Sequence, residues 1–237
     1  MRRLFIADLH LHPARPEHSC ALINFCQQRV NAEDELYILG DLFEAWIGDD
    51  IGIITYADVI ACFKQLTQKG TKVFFMAGNR DFLVGQAFSQ ATGIQILPDP
   101  TLAIFDDQKT LLMHGDTLCT DDVEYQKFRC LVRDPQWQSK FLAMSPALRM
   151  QQAAHYRQQS KEMTAHKSND IMDVNPDAVT QAMDHHHVKL LIHGHTHRPQ
   201  VHQLKIGERV VLGDWIGHFD YLSWPQGQAW RLIRESI

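Results

Sequence analysis

The chain has no long apolar run, no paired-cysteine motif, no basic excess and no internal repeat, and each absence removes a class of protein. No apolar stretch approaches the roughly 18 residues of a membrane-spanning helix, so no span is expected. The five cysteines (Cys20, Cys26, Cys62, Cys119 and Cys130) are odd in number and none lies in a CxxC pair. That favours free, mostly buried thiols in a reducing compartment over a disulfide framework or a thiolate metal site. Met1-Arg2-Arg3 is basic, but the apolar run behind it stops at Asp8, too soon for a signal peptide, and reads as a first strand. A cytoplasmic protein is expected, with any membrane contact peripheral. The net charge of −5 argues against a broadly basic nucleic-acid binder.

The composition is ordinary in bulk and specific in detail. Apolar residues make up 45% and charged residues 22% of 237, the composition of one globular α/β domain with room for an insertion. Short apolar strands are expected at 3–7, 35–39, 72–76, 101–105, 110–113, 189–193 and 209–212. Helical stretches are expected near 19–31, 54–69, 83–92 and 176–187. Ser19 stands ahead of one periodic run, Gly70 just past another, and Pro176 opens a third. Alternation of strand and helix argues for a layered α/β fold, with 101–113 as an antiparallel pair.

Residues 121–170 read as an insertion. Tyr125, Phe128, Leu131 and Val132 fall at helical spacing, and Pro135 and Pro146 divide the rest of the segment into short helices, so a small helical cap is expected. One reading makes these apolar residues the cap's own core. The other notes Arg129, Arg133, Lys140, Arg149, Arg157, Lys161 and Lys167 interleaved among them. An apolar surface rimmed by cations suits an amphiphile with acyl chains and phosphate, or anionic lipid headgroups.

Five short motifs carry the chemistry: Asp8 and His10 in IADLH, Asp41 in LYILGDLFE, Asn79 in FFMAGNRD, His114 in LLMHGD, and His195 and His197 in LIHGHTH. Each follows an apolar run, so the ligands are expected at the carboxyl ends of strands, where open α/β sheets bind substrates. The spacing of two within Asp8/His10 and His195/His197 is the strand period. Oxygen and imidazole donors without thiolate suit Mn, Fe, Zn or Co, and seven of them suit two ions sharing one carboxylate. Two divalent ions against Asp8 and Asp41 leave positive charge for a phosphate or diphosphate. Of the other histidines, His185, His186 and His187 read as a solvated helix end, His12 continues the alternation without a clear role, and His155 and His166 could face phosphate.

The motifs D-x-H, G-D, G-N-x-D, H-G-D and G-H-x-H resemble the calcineurin-like metallophosphoesterase superfamily over residues 8 to 197. The resemblance implies a β-sandwich flanked by helices. Where that superfamily usually has His after the Asn of the third motif, this chain has Arg80. That departure, with MHGDTLCTDD and HKSNDIMDVN, resembles the branch that hydrolyses UDP-2,3-diacylglucosamine on the way to lipid A, and the match runs along nearly the whole chain. It implies two Mn(2+) ions, one on Asp8, His10, Asp41 and His197 and the other on Asp41, Asn79, His114 and His195. It implies substrate contacts at Asn79, Arg80, Asp122, Ser160, Lys167 and His195, with Thr164 where relatives often have Asn. Arg157 is added from the cap's charge pattern.

The expected reaction is attack of metal-activated water on the α-phosphorus, giving UMP and 2,3-diacylglucosamine 1-phosphate, with Arg80, Asp41, Asn79, His114 and His195 as the catalytic group. Arg80 offers a fork suited to phosphate oxygens, unless it pairs with Asp81 or Asp49. Phe128, Leu131, Trp137, Phe141 and Leu142 are expected to line acyl-chain space. The implied setting is peripheral, on the cytoplasmic face of the inner membrane, with no nucleic acid and no obligatory protein partner. The alternatives are another dinuclear metallophosphoesterase (a nucleotide phosphodiesterase or phosphatase), a nuclease, or a metal-free scaffold; the last conflicts with a complete ligand set.

Overall fold

In a computed structural model, residues 1–164 and 173–236 are described, except the side chains at 160, 161, 163 and 164. The expected Ser160, Thr164 and Lys167 contacts, and His166, therefore lie outside the described side chains.

Two sheets stack face to face. The first runs β11(Arg231–Ser236), β10(His218–Pro225), β1(Arg2–Ile6), β2(Glu35–Leu39), β3(Lys72–Met76), β4(Gln95–Leu97). The second runs β5(Thr101–Phe105), β6(Gln108–Met113), β7(Leu190–His193), β9(Gly207–Val211), β8(Gln200–Leu204). Alternation along each strand divides its side chains between layers. From β1, Phe5 enters the core between the sheets with Leu39, Leu112, Ile192 and Val210, while Leu4 and Ile6 face the opposite way. There they meet helices α1(Pro16–Arg29), α3(Ala57–Gln68) and α4(Gln86–Thr92). Behind the second sheet, Leu111, Met113 and Leu191 pack on Val179 and Met183 of α8(Pro176–His185). The layers are helix, sheet, sheet, helix.

Register fixes an aromatic ladder across this core. Phe5 lies opposite Tyr37 and Tyr37 opposite Phe74, with stacked rings 4.8 and 4.6 Å apart. Such pairs add about 0.5–1.5 kcal/mol each beyond the area they bury.

The expected strands are found, the hairpin at 101–113 as β5 against β6. The expectations missed β4, which is three residues long, β8, β10 and β11, whose apolar pattern is interrupted by polar or charged residues, and α2(Asp49–Thr55), which precedes a break at Tyr56. Helix α1 starts at Pro16, so Ser19 sits buried within it and does not cap it. Pro176 does open α8, and Asn175 caps it by accepting from the backbone N–H of Asp177 and Ala178. Within 121–170 lie three helices: α5(Val123–Arg133), α6(Pro135–Leu142) and α7(Pro146–Thr164). No helix among the described residues is long and apolar enough to cross a membrane.

Candidate metal centre

Strands β1, β2 and β3 are parallel neighbours in one sheet, and β6 and β7 in the other, so their carboxyl ends share one rim. Asp8, His10, Asp41, Asn79, His114, His195 and His197 all lie just beyond those ends. The sequence spacing suggested that the i, i+2 pairs project by strand alternation. Instead Asp8, His10, Asp41, His195 and His197 have φ of 57°, 48°, 51°, 70° and 55°. The strands have ended, and left-handed residues aim the side chains. Asp and His tolerate that region better than most residues, yet such conformations cost on the order of 1–3 kcal/mol each and concentrate at functional sites. Glycine permits the close approach: a Cβ at Gly78 would collide with Asp41 Oδ1, and one at Gly194 with Asp8 Oδ2.

The donor atoms form two groups, Asp8 with His10 and His197, and Asp41 with His114 and His195; within each, the atoms lie within 4.8 Å of one another. Asn79 joins the second, its Oδ1 2.9 Å from His114 Nε2 and 3.0 Å from His195 Nδ1. Asp41 stands between the groups, with Oδ2 3.8 Å from His10 Nε2 and Oδ1 3.7 Å from His114 Nε2.

The chemistry of these atoms fits cations. His10 Nδ1 faces Glu44 Oε2 at 3.1 Å and His197 Nδ1 faces Asp214 Oδ2 at 3.3 Å, so each imidazole presents its Nδ1 outward to a carboxylate. Their Nε2 atoms then turn toward each other, 3.1 Å apart. His114 likewise donates from Nδ1 to the Leu39 carbonyl at 2.9 Å, turning Nε2 to the Asn79 oxygen. Lone pairs meeting lone pairs call for a shared cation or protons. Asp8 Oδ1 is also buried without a hydrogen-bond partner, while Oδ2 accepts from His195 N–H at 2.8 Å.

The field is consistent with this. Burial opposes a charged His114, but Asp41, Asp116 and Asp8 outweigh it and raise its pKa to about 9. Burial opposes a charged His197 as well, but the neighbouring carboxylates of Asp214 and Asp8 lift its pKa to about 10. His195, desolvated and beside His114, falls to about 4. The pocket therefore attracts positive charge strongly.

Around the centre, Asp81 binds the ligand loops together. Its carboxylate accepts from the N–H of Gly78 (2.8 Å), Leu42 (2.7 Å), Asp41 and Phe43 (both 3.3 Å). Asp49 accepts from Trp46 Nε1, Gly85 N and Phe88 N. Neither carboxylate pairs with the Arg80 guanidinium, whose Nε is buried without a partner. Arg80 donates its own backbone N–H to Asp41 Oδ1 at 2.8 Å.

A cleft of about 820 Å³, open to solvent, runs from Asn79, Arg80 and Glu44 under the cap, lined by Trp46, Phe82, Leu83, Tyr125, Phe128, Val132, Trp137, Phe141, Tyr156 and Arg157. Phe128 and Val132, one helical turn apart, face it. Leu131 and Leu142, expected there, are 51% and 41% exposed, because the cap helices turn those positions outward.

The cap's cations are mostly committed to holding the cap in place. Arg129 pairs with Asp116 at 2.8 Å, Arg133 donates to the Gly78 carbonyl at 2.9 Å, and Arg149 binds Asp50 and the Ile47 carbonyl. Tyr125 also donates to Asp116, at 2.6 Å. Asp122 caps α5 by accepting from Tyr125 N–H at 3.1 Å. Arg157 lines the cleft and pairs with Glu44 at 2.8 Å. His155 is exposed, His12 accepts from Ala14 N–H within a turn, and His185 and His187 are exposed at the end of α8. Glu44 and Asp214 went unnoticed in the sequence: one lies three residues past Asp41, the other in a loop without a motif.

A two-sheet sandwich with oxygen and imidazole donors gathered at its rim defines a metallophosphoesterase. The calcineurin-like phosphoesterase profile matches residues 1–199, and the chain belongs to that family. The chain is 48% identical over 219 residues, 91% of each protein, to a UDP-2,3-diacylglucosamine hydrolase of Serratia proteamaculans. It is 45% identical over 249 aligned positions, covering all of this chain and 97% of the relative, to a protein of the same name from Xanthomonas oryzae pv. oryzae. A solved archaeal phosphodiesterase shares the fold, with a TM-score of 0.50 at 13% identity over 99% of each chain.

Proposed function

We propose that this chain hydrolyses the diphosphate bond of UDP-2,3-diacylglucosamine at the α-phosphorus, releasing UMP and 2,3-diacylglucosamine 1-phosphate for lipid A. The observation that carries this reading is the junction of two unlike environments. An apolar, aromatic-walled cleft opens at Asn79 and Arg80, beside the cation-seeking donor groups. A substrate with a diphosphate at one end and acyl chains at the other matches both. The names of the relatives point to the same substrate.

In this proposal the chain is one domain, with residues 121–170 as its cap, and works with two Mn(2+) ions. One is held by Asp8, His10, Asp41 and His197, the other by Asp41, Asn79, His114 and His195. Held there, such ions would supply Lewis-acid activation of water near neutral pH and would offset negative charge on the phosphoryl oxygens. The protein supplies the rest. Arg80 offers a permanent cation whose backbone is pinned to Asp41, so its guanidinium meets the diphosphate beside the metals. Asn79 and His195 contact a phosphoryl oxygen as well as a metal. Arg157, Ser160 and Lys167 hold phosphate and sugar from the cap, and Asp122 and Thr164 contact the substrate. Phe82, Phe128, Val132, Trp137 and Phe141 take acyl chains and exclude water from them. The cap's apolar mouth works against the cytoplasmic face of the inner membrane, where such a lipid resides.

The test is a Mn-dependent assay of UMP release from the diacylated UDP-sugar, beside bis-nitrophenyl phosphate. Wild type should cleave the acylated substrate far faster than the soluble diester, and Asp41→Ala should abolish both. Equal rates on the two substrates would leave only a general phosphodiesterase.

A further inference from the structure

The two donor groups are backed by different atoms. In the group of Asp8, His10 and His197, both imidazoles rest on carboxylates, Glu44 at 3.1 Å and Asp214 at 3.3 Å. In the other, His114 rests on the neutral Leu39 carbonyl at 2.9 Å. A carbonyl fixes the rotation and tautomer of an imidazole; a carboxylate does so and also makes the ring a stronger donor. Glu44 is in turn gripped from the cap. Its Oε2 faces His10, while Oε1 takes Arg157 Nη2 at 2.8 Å, and the same guanidinium bonds the Glu44 backbone carbonyl. Arg15 Nη2 lies 3.8 Å from Oε2 and donates to the His10 carbonyl at 3.2 Å. One half-exposed carboxylate thus joins a ligand imidazole to helix α7 across 113 residues of sequence.

We propose that Glu44 is a positioning residue that sets the affinity of the Asp8–His10–His197 site, with Asp214 acting likewise on His197, and that Arg157 links this affinity to the seating of the cap. The proposal deepens the two-metal reading and rests on it. The two ions are then unequal: one site is tuned by charged residues at the cleft's edge, the other by the backbone of β2. An anionic ligand that draws Arg157 away from Glu44 would be felt at the first site and not at the second.

The experiment is calorimetric titration of the chelator-stripped full chain with Mn(2+), with bound ion followed by electron paramagnetic resonance. Wild type should take up two ions, and the step lost in His10→Ala marks the Asp8–His10–His197 site. Glu44→Gln and Asp214→Asn should each weaken that step by about 10–100-fold and leave the other within about twofold. Arg157→Ala should weaken the same step by less. Equal weakening of both steps, or of neither, overturns the proposal, and an unchanged step in Arg157→Ala overturns the link to the cap. Fewer than two ions on the wild-type chain would fail the two-metal reading itself, a result visible before any variant is made.

Discussion

Asp81 offers the sharpest test of how the ligand loops are held. Its fully buried carboxylate gathers four backbone N–H groups from the segments carrying Asp41 and Asn79, two at 2.7–2.8 Å and two at 3.3 Å. Burial and the charge of Asp41 push its pKa up to about 7, so the protein tolerates an unfavourable carboxyl there to keep those contacts. Asp81→Ala would strand the donors. At about 1–3 kcal/mol per unsatisfied buried group, the two short bonds alone cost about 2–6 kcal/mol. The two longer bonds add to this and water entering the vacated space returns part of it, so about 3–5 kcal/mol remains. For a chain of this length each kcal/mol lowers Tm by about 2–4 °C, so the melting temperature should fall on the order of 10 °C. Metal retention after gel filtration should fall too, because Asp41 and Asn79 lose their mutual reference. Calorimetry of metal-free and metal-loaded protein is the assay. A Tm within about 2 °C of wild type, with full metal content, would refute the reasoning.

Other perturbations separate the remaining parts. Arg80→Ala should cut turnover at least about 100-fold, the scale of losing one charged transition-state contact, while metal content stays at the wild-type level; unchanged turnover discards its role. Ala153→Trp places a bulky ring in the cleft. If it displaces as few as two methylenes of acyl chain at about 0.8 kcal/mol each, affinity for the acylated substrate falls about tenfold while the soluble diester is cleaved as before. Equal losses on both would show that the cleft does not take acyl chains. In metal-free protein, His114 (about 9) and His197 (about 10) have pKa values above their unfolded value near 6.5. Their stabilisation is complete below pH ~6.5 and is lost as pH rises through 9 and 10. Thermal melts should therefore fall between pH 7 and 9.5 after chelation and much less with metal bound. A metal-free Tm that holds level or rises across that window would contradict the field described at the centre.

The sequence announced the ligands more clearly than the mechanism that aims them. Asp8, His10, Asp41, Asn79, His114, His195 and His197 were legible because each follows an apolar strand and carries a metal donor. Their left-handed φ values were not, since spacing of two also fits a strand, and only the three-dimensional path distinguishes the two. Glu44 and Asp214 were hidden because a carboxylate behind an imidazole is set by contacts between distant loops. Strands β10 and β11 escaped notice for a different reason. Asp220, Glu235 and Arg234 interrupt the apolar pattern, yet Asp220 is buried and paired with Arg234. The cap's helices could be read from proline and apolar spacing, but the use of its arginines could not. Composition shows a cationic rim; the fold commits Arg129, Arg133 and Arg149 to anchoring it.

The most direct measurement is an anomalous difference map from crystals grown with manganese. Two peaks are predicted, one among Asp8, His10 and His197 and one among Asn79, His114 and His195, with Asp41 reaching both. A single peak, or none in that pocket at saturating manganese, would contradict the account.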